Sequence, residues 1–265
     1  MRNKLTRELA VCGFNAVKAL GELHPETITR LFLGEDRLRD FSQVCKLLAE
    51  ARRPYKICED DELERICQSN RHQGVVAMIE EPEVAPASPA DIDDWAREGR
   101  TGLVLHSVGN DHNLGAMVRS AAFFDAYYVI IAEGDREAVL STSAYRVAGG
   151  GMEHLNFRRV RNTAAFLQSL SRQVISLGAE LRARRRIQDL PMIIREQTAA
   201  LKTRPEAGQR PGIAIVLGNE ERGLPPEVQE SCSALVRIPG IGAIESLNVA
   251  QAATLFLQAA FEFSL

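Results

Sequence analysis

The chain is short of cysteine, aromatic residues, net charge and long apolar runs, and each shortage removes a class of protein. Its five cysteines (Cys12, Cys45, Cys58, Cys67, Cys232) form an odd set with no C-x-x-C pair. That supports neither a disulfide framework nor a zinc site, and it fits a reducing, cytoplasmic setting. Aromatic residues make up 6% of the chain, with a single tryptophan at Trp95, so stacking platforms for single-stranded nucleic acid are not evident. With 32 Lys and Arg against 35 Asp and Glu the formal charge is −3. Contact with a polyanion must therefore come from a local basic patch. No segment approaches the roughly 20 consecutive apolar residues of a membrane span, and the first eight residues lack the apolar core of a signal peptide. G-x-x-x-x-G-K-[ST], H-E-x-x-H and G-x-S-x-G are all missing, and the five histidines are scattered without metal-ligand spacing. A P-loop NTPase, a zincin and an α/β-hydrolase are disfavoured, and no metal is expected.

What is present is the composition of an ordinary globular chain: 265 residues, 45% hydrophobic and 25% charged, enough for one or two domains. The stretch Glu80 to Ala90, with three prolines among acids and small residues, reads as a linker. Before it, the patterning predicts a helix over 7–21, a strand over 28–33, a helix over 37–52, a strand over 54–58, a short helix over 60–68 and a strand over 74–80. This alternation describes a small α/β domain. After it come the apolar runs Gly102 to Val108, Tyr127 to Ala132, Gly212 to Leu217 and Ala234 to Ile238, which suit parallel strands covered on both faces. Asn248 to Phe263 reads as a long apolar helix opened by a box of Asn248 and Gln251.

Three loops that follow these strands are rich in Gly, Asn and small residues. Asn110-Asp-His-Asn-Leu-Gly-Ala-Met-Val-Arg places Asn113 as a candidate helix cap and Arg119 about a turn and a half into the helix. Leu217-Gly-Asn-Glu-Glu-Arg-Gly-Leu carries Gly218 and Gly223, which permit close approach of backbone to a ligand, and a carboxylate at Glu220. Ile238-Pro-Gly-Ile-Gly-Ala-Ile-Glu-Ser-Leu-Asn-Val lies between the last strand and the last helix. Its Gly240-Ile-Gly242 imitates the start of a dinucleotide fingerprint, but Glu245 stands where the third glycine belongs and no βαβ unit can follow.

Taken in order, the three segments resemble the motifs of the SpoU (TrmH-type) family of the SPOUT superfamily of RNA 2'-O-ribose methyltransferases. Asn113, Gly115, Ala116, Arg119, Ser120 and Ala121 meet the first motif. Leu217, Gly218, Glu220, Gly223 and Leu224 meet the second, and Ile238, Pro239, Gly242, Ser246, Leu247, Asn248 and Val249 the third. Residues 10 to 80 resemble the family's L30e-like substrate-binding domain through Cys12-Gly-Phe-Asn-Ala-Val and Asn70-Arg-His-Gln-Gly-Val-Val-Ala. The chain departs from the family pattern at Gly240, where Met is usual, at Glu221, where Gly is common, and at Ala148-Gly-Gly-Gly-Met-Glu-His.

The resemblance implies an L30e-like α/β domain over 1–81, a linker over 82–98 and an α/β methyltransferase domain over 99–265 with a mostly parallel sheet and a C-terminal trefoil knot. It implies S-adenosylmethionine as cofactor, tRNA or rRNA as substrate, a homodimer, and no membrane or metal. Arg119, Asn113, Ser246 and Asn248 are then expected as catalytic residues. Leu217, Gly218, Asn219, Glu220, Gly223, Ile238, Gly240 and Leu247 are expected to hold the cofactor, and Arg184, Arg185 and Arg186 to contact RNA. A second cluster, Arg158, Arg159 and Arg161, reads as a solvated face. The alternative is an inactive RNA-binding scaffold of the same fold, favoured by Gly240 and Glu221.

Overall fold

The computed structural model describes residues 8–133, 139–201, 205 and 209–264, and these divide into two compact units. In the first, β1 (Glu8–Cys12), α1 (Phe14–Leu23), β2 (Ile28–Leu33), α2 (Ser42–Glu50), β3 (Tyr55–Ile57), α3 (Asp60–Cys67) and β4 (Val75–Glu80) follow one another. The sheet order is β1-β4-β2-β3. Strand β4 lies antiparallel to both neighbours, and β2 pairs parallel with β3. The expected helix over 7–21 is in fact two elements. Glu8 to Cys12 pairs along its whole length with β4, and Gly13, at φ 101, turns the chain into α1. A backbone in that region suits glycine, so the helical reading ran through a residue that ends one element and opens another.

In the second unit the chain runs through α4 (Pro89–Glu98), β5 (Thr101–Leu105), α5 (Asp111–Phe123) and β6 (Tyr128–Ala132). It then supplies α6 (Thr142–Ala148) to the first unit, which takes in residues 139–154. The remainder is β7 (Asn156–Val160), α7 (Thr163–Leu170), β8 (Val174–Ala179), β9 (Arg185–Arg186), α8 (Leu190–Ala200), β10 (Gly212–Leu217), α9 (Pro226–Glu230), β11 (Ala234–Arg237) and α10 (Val249–Ser264). Seven strands in the order β7-β6-β5-β10-β8-β11-β9 form one sheet in which every pairing is parallel. Every residue of β5, β6 and β10 is buried, as strands covered on both faces must be.

Residues 89–98, expected in the linker, form a helix. Ser88 accepts from the Asp91 N–H while Asp91 accepts from the Ser88 N–H at 2.8 Å, a reciprocal cap with proline at the first helical position. Its inner face carries Ile92 and Trp95, both buried in the core under β5, β6 and β10. The Trp95 indole N–H donates to the Arg100 carbonyl at 3.0 Å. Asp91 and Asp94 reach across to Arg158 and to the Tyr128 hydroxyl. The prolines that suggest a linker therefore include the start signal of a core helix.

The sheet has one place where its strand order reverses direction. From β5 the chain works outward through β6 to β7 on one side, then crosses to build β8, β9, β10 and β11 on the other. Loops leaving the carboxyl ends of β5 and β10 thus diverge, and a crevice at that switch point is where open α/β sheets hold ligands. Helices α5 and α10 pack on each other beside it. Ser120 and Thr254 hydrogen-bond across their contact at 2.7 Å.

In the first unit, Glu153 is a buried carboxyl. Its side chain is 8% exposed, one oxygen has no hydrogen-bond partner among the described residues and the other lies 3.9 Å from His24. Burial pushes its pKa up to about 7, against the opposing pull of His24. An acid raised in the folded state contributes stability that is present below pH 4.5 and lost as pH rises toward 7. We expect Glu153→Gln to stabilise the chain at pH 8 by on the order of 2 kcal/mol relative to its effect at pH 4. Denaturant unfolding at both values checks this, and an equal effect at both would contradict it.

Candidate active site

The first loop follows β5, and its helix cap is Asn110 rather than the expected Asn113. The Asn110 side-chain oxygen accepts from the His112 and Asn113 N–H groups at 2.9 and 3.3 Å, satisfying two donors that open the helix. The cap lies one turn earlier than expected, which frees the Asn113 side chain for tertiary contact. Its amide nitrogen donates to Glu220 Oε1 at 2.7 Å, and its oxygen accepts from Asn248 Nδ2 at 3.1 Å. The Asn248 oxygen in turn accepts from the Ala250 N–H at 2.8 Å, opening α10. A carboxylate accepts only and a backbone N–H donates only, so both amides are fixed in orientation from the two ends of the chain of bonds. One asparagine thereby joins all three loops.

The second loop closes on itself. Asn219 donates to the Ser107 carbonyl at 3.0 Å and accepts from the N–H groups of Glu221 and Arg222, an Asx turn that pins the loop to the end of β5. The Gly223 N–H donates to the Asn219 carbonyl at 2.9 Å. A Cβ on Gly218 would stand 2.4 Å from the Gly223 carbonyl, so the close approach that needs glycine here is loop on loop. Leu217 is buried, and its carbonyl accepts from the His106 N–H at 2.8 Å. Of the expected cofactor residues here, Glu220 is exposed, and its carboxylate is held by Asn113. Glu221 is not among the residues at positive φ, so the loop accepts a side chain where the family favours glycine.

The third loop leaves β11 at Ile238 and is exposed from Gly240 to Asn248. Ile241, Ile244 and Leu247 present apolar side chains to solvent at 106%, 82% and 49% exposure. Nothing lies within 4 Å of a Cβ placed on Gly240 or Gly242. Ser246 is exposed and forms no hydrogen bond to a described residue; the capping contact to α10 belongs to Asn248. Arg119 is exposed, about 9 Å along the α5 axis from Asn113, and it has no ion pair among the described residues.

Arg184, Arg185 and Arg186 are exposed on and beside β9 at the sheet edge, three strand steps or roughly 14 Å from β10. Arg185 is paired with Glu196 at 2.8 Å. The other cluster is largely paired: Arg158 with Asp91, while Arg159 and Arg161 share Glu133. Sequence reasoning missed His106, which follows β5 and whose Nδ1 lies 2.9 Å from the Thr163 hydroxyl. Burial lowers its pKa, and no motif marks it. Among the described residues no group of three or more His, Cys, Asp or Glu could hold a metal ion.

Comparison with known proteins agrees with this geometry. The profile of the SpoU rRNA Methylase family matches residues 100–258. A second, described as RNA 2'-O ribose methyltransferase substrate binding, matches residues 10–85. The chain is 31% identical over 257 residues to the 23S rRNA (guanosine-2'-O-)-methyltransferase RlmB of Nitrosomonas europaea, covering 96% of this chain and 91% of that one. It is 32% identical to the protein of the same name from Acinetobacter baylyi, covering 92% and 93%. Among solved structures, the AdoMet-bound rRNA methyltransferase from Sinorhizobium meliloti has the same fold at TM-score 0.74 and 23% identity, over 98% of this chain and 89% of that chain. The SpoU methyltransferase AviRb from Streptomyces viridochromogenes, in complex with AdoMet, follows at TM-score 0.73 and 22% identity, over 99% and 93%. With three motif loops gathered on one asparagine at the sheet's switch point, and a matching profile over most of that unit, the chain belongs to the SpoU rRNA methylase family.

Proposed function

We propose that this protein transfers the methyl group of S-adenosylmethionine to a ribose 2'-hydroxyl of RNA, with a guanosine of 23S rRNA as the acceptor that its relatives' names favour. The observation that carries this reading is the Asn113 junction. It holds the loops after β5, β10 and β11 in one arrangement at the carboxyl ends of the strands, where open α/β sheets bind ligands.

The residues fit the cofactor. The loops 218–223 and 238–247 offer exposed backbone groups beside apolar Ile241, Ile244 and Leu247, a setting suited to a flat heteroaromatic ring. The open space over Gly240 and Gly242 leaves backbone accessible. When bound, S-adenosylmethionine supplies a methyl carbon already activated by its sulfonium. The protein's share is to hold the ribose hydroxyl in line with that carbon, and such positioning is worth roughly 7 to 11 kcal/mol. Arg119 is permanently protonated and does not serve as a base. It binds the target phosphate and stabilises charge that develops on the attacking oxygen. Asn113 and Asn248 orient the ribose from the junction, and Ser246, free of a capping role, faces the substrate. Arg184 and Arg186 supply positive charge for RNA.

The inactive-scaffold alternative rested on Glu221 and Gly240, and neither position disturbs the loops. We also read the chain as a cytoplasmic homodimer with the family's trefoil knot. The exposed Phe123 and Leu255 support a subunit contact, and no described helix is long and apolar enough to cross a membrane.

Two outcomes test the assignment. Arg119→Ala is expected to abolish methyl transfer to rRNA while calorimetric affinity for S-adenosylmethionine stays within a few-fold; retained turnover removes Arg119 from the mechanism. Asn113→Asp replaces the donor to Glu220 with a second carboxylate, and should lower kcat/KM by roughly ten- to a hundred-fold, the cost of losing a hydrogen bond to a charged group. Steady-state kinetics check this, and wild-type kinetics in that variant would show that the junction does not organise the site.

A further inference from the structure

Arg237 and Arg186 form an arginine pair for which the sheet supplies no counter-charge. They are register partners in the parallel pair β11–β9, so their side chains leave the same face of the sheet. Like charges at paired positions disfavour a strand pairing. The alternate position shows the usual solution, since Arg185 opposite Val236 is matched by Glu196 at 2.8 Å. Neither Arg186 nor Arg237 has an ion pair among the described residues. The Arg237 Nε is buried without a hydrogen-bond partner among the described residues, and a buried donor left unmade is a cost that folded proteins seldom carry without a use. The nearby acids are already engaged: Asp189 accepts from the Arg186 N–H at 3.0 Å, and Glu180, next after β8, is held by two donors. One of its oxygens accepts from Gln229 Nε2 at 3.0 Å and the other from the Arg182 N–H at 3.1 Å.

The position carries as much as the charge. Arg237 is the last residue of β11 and the motif loop begins at the next residue, so the pair stands at the carboxyl ends of two parallel strands, where ligands are bound. A planar guanidinium fork matches the paired oxygens of a phosphodiester. Arg237 is half-buried while Arg186 and Arg184 are exposed, which suits one fixed phosphate within an extended polyanion. We propose that Arg237 and Arg186 clamp a backbone phosphate of the RNA substrate at the β11–β9 edge, a contact separate from Arg119. This rests on the reading of the chain as an RNA methyltransferase.

The test measures binding of a fluorescein-labelled single-stranded RNA of mixed sequence to the full chain from about 50 to about 200 mM potassium chloride, the range over which counterion release is read. Arg237→Gln and Arg186→Gln should each lower the slope of log affinity against log salt by about 0.7 to 1. Arg237→Lys should keep the wild-type slope. Affinity for S-adenosylmethionine should stay unchanged, and the melting temperature of Arg186→Gln should not fall. Wild-type slopes in both Gln variants would overturn the clamp while leaving RNA binding intact. So would a shift of Arg237→Gln from dimer to monomer at unchanged slope, or weakened cofactor binding alone, since these assign the pair to a subunit contact or to the cofactor. Salt-independent binding by the wild-type chain would overturn the underlying reading as well.

Discussion

The side chain of Asn113 is the constraint on which the arrangement of the three motif loops depends. Three loops that are 135 residues apart at their extremes meet on its amide, with Glu220 on one side and Asn248 on the other. The polarity of the bonds is imposed from outside, by the Glu220 carboxylate at one end and the Ala250 N–H at the other, so the junction has one low-energy arrangement. Everything around it serves to deliver these ends to the same place. The parallel sheet puts β5 beside β10, the Asn110 cap starts α5 one turn before the junction, and the Asn219 turn ties the β10 loop back to Ser107.

This arrangement accounts for residues whose first reading concerned a ligand. Gly218 and Asn219 shape their loop through contacts with its own backbone and with the end of β5. Ser120 of the first motif ties α5 to α10. Arg119 is left as an exposed cation with no ion pair among the described residues, and the third loop as an exposed apolar surface. Those are the features expected of groups that meet substrate and cofactor rather than the protein interior.

Much of this was legible in the sequence because parallel strands buried on both faces leave continuous apolar runs, and β5, β6, β10 and β11 all stand near the expected positions. The elements that escaped did so for physical reasons. Strand β7, Asn-Phe-Arg-Arg-Val, lies at the sheet edge and carries charge, so it read as a basic cluster until its arginines proved to be paired with Asp91 and Glu133. Helix α4 buries mainly Ile92 and Trp95 and is otherwise acidic, so its prolines outweighed its short apolar stripe. Motifs nominate the candidate site residues, but Asn110 and Asn113 compete for the same cap in sequence. Only the contact to Glu220, 107 residues away, decides between them. Nothing local marked Arg237, because its significance comes from the arginine beside it on another strand.

The most direct test of the account is to incubate the purified chain with methyl-labelled S-adenosylmethionine and unmodified 23S rRNA, digest the RNA to nucleosides and locate the label. The account predicts label on the ribose 2'-oxygen, in 2'-O-methylguanosine, dependent on Arg119. Label on a base, or cofactor binding with no label in RNA, would contradict it.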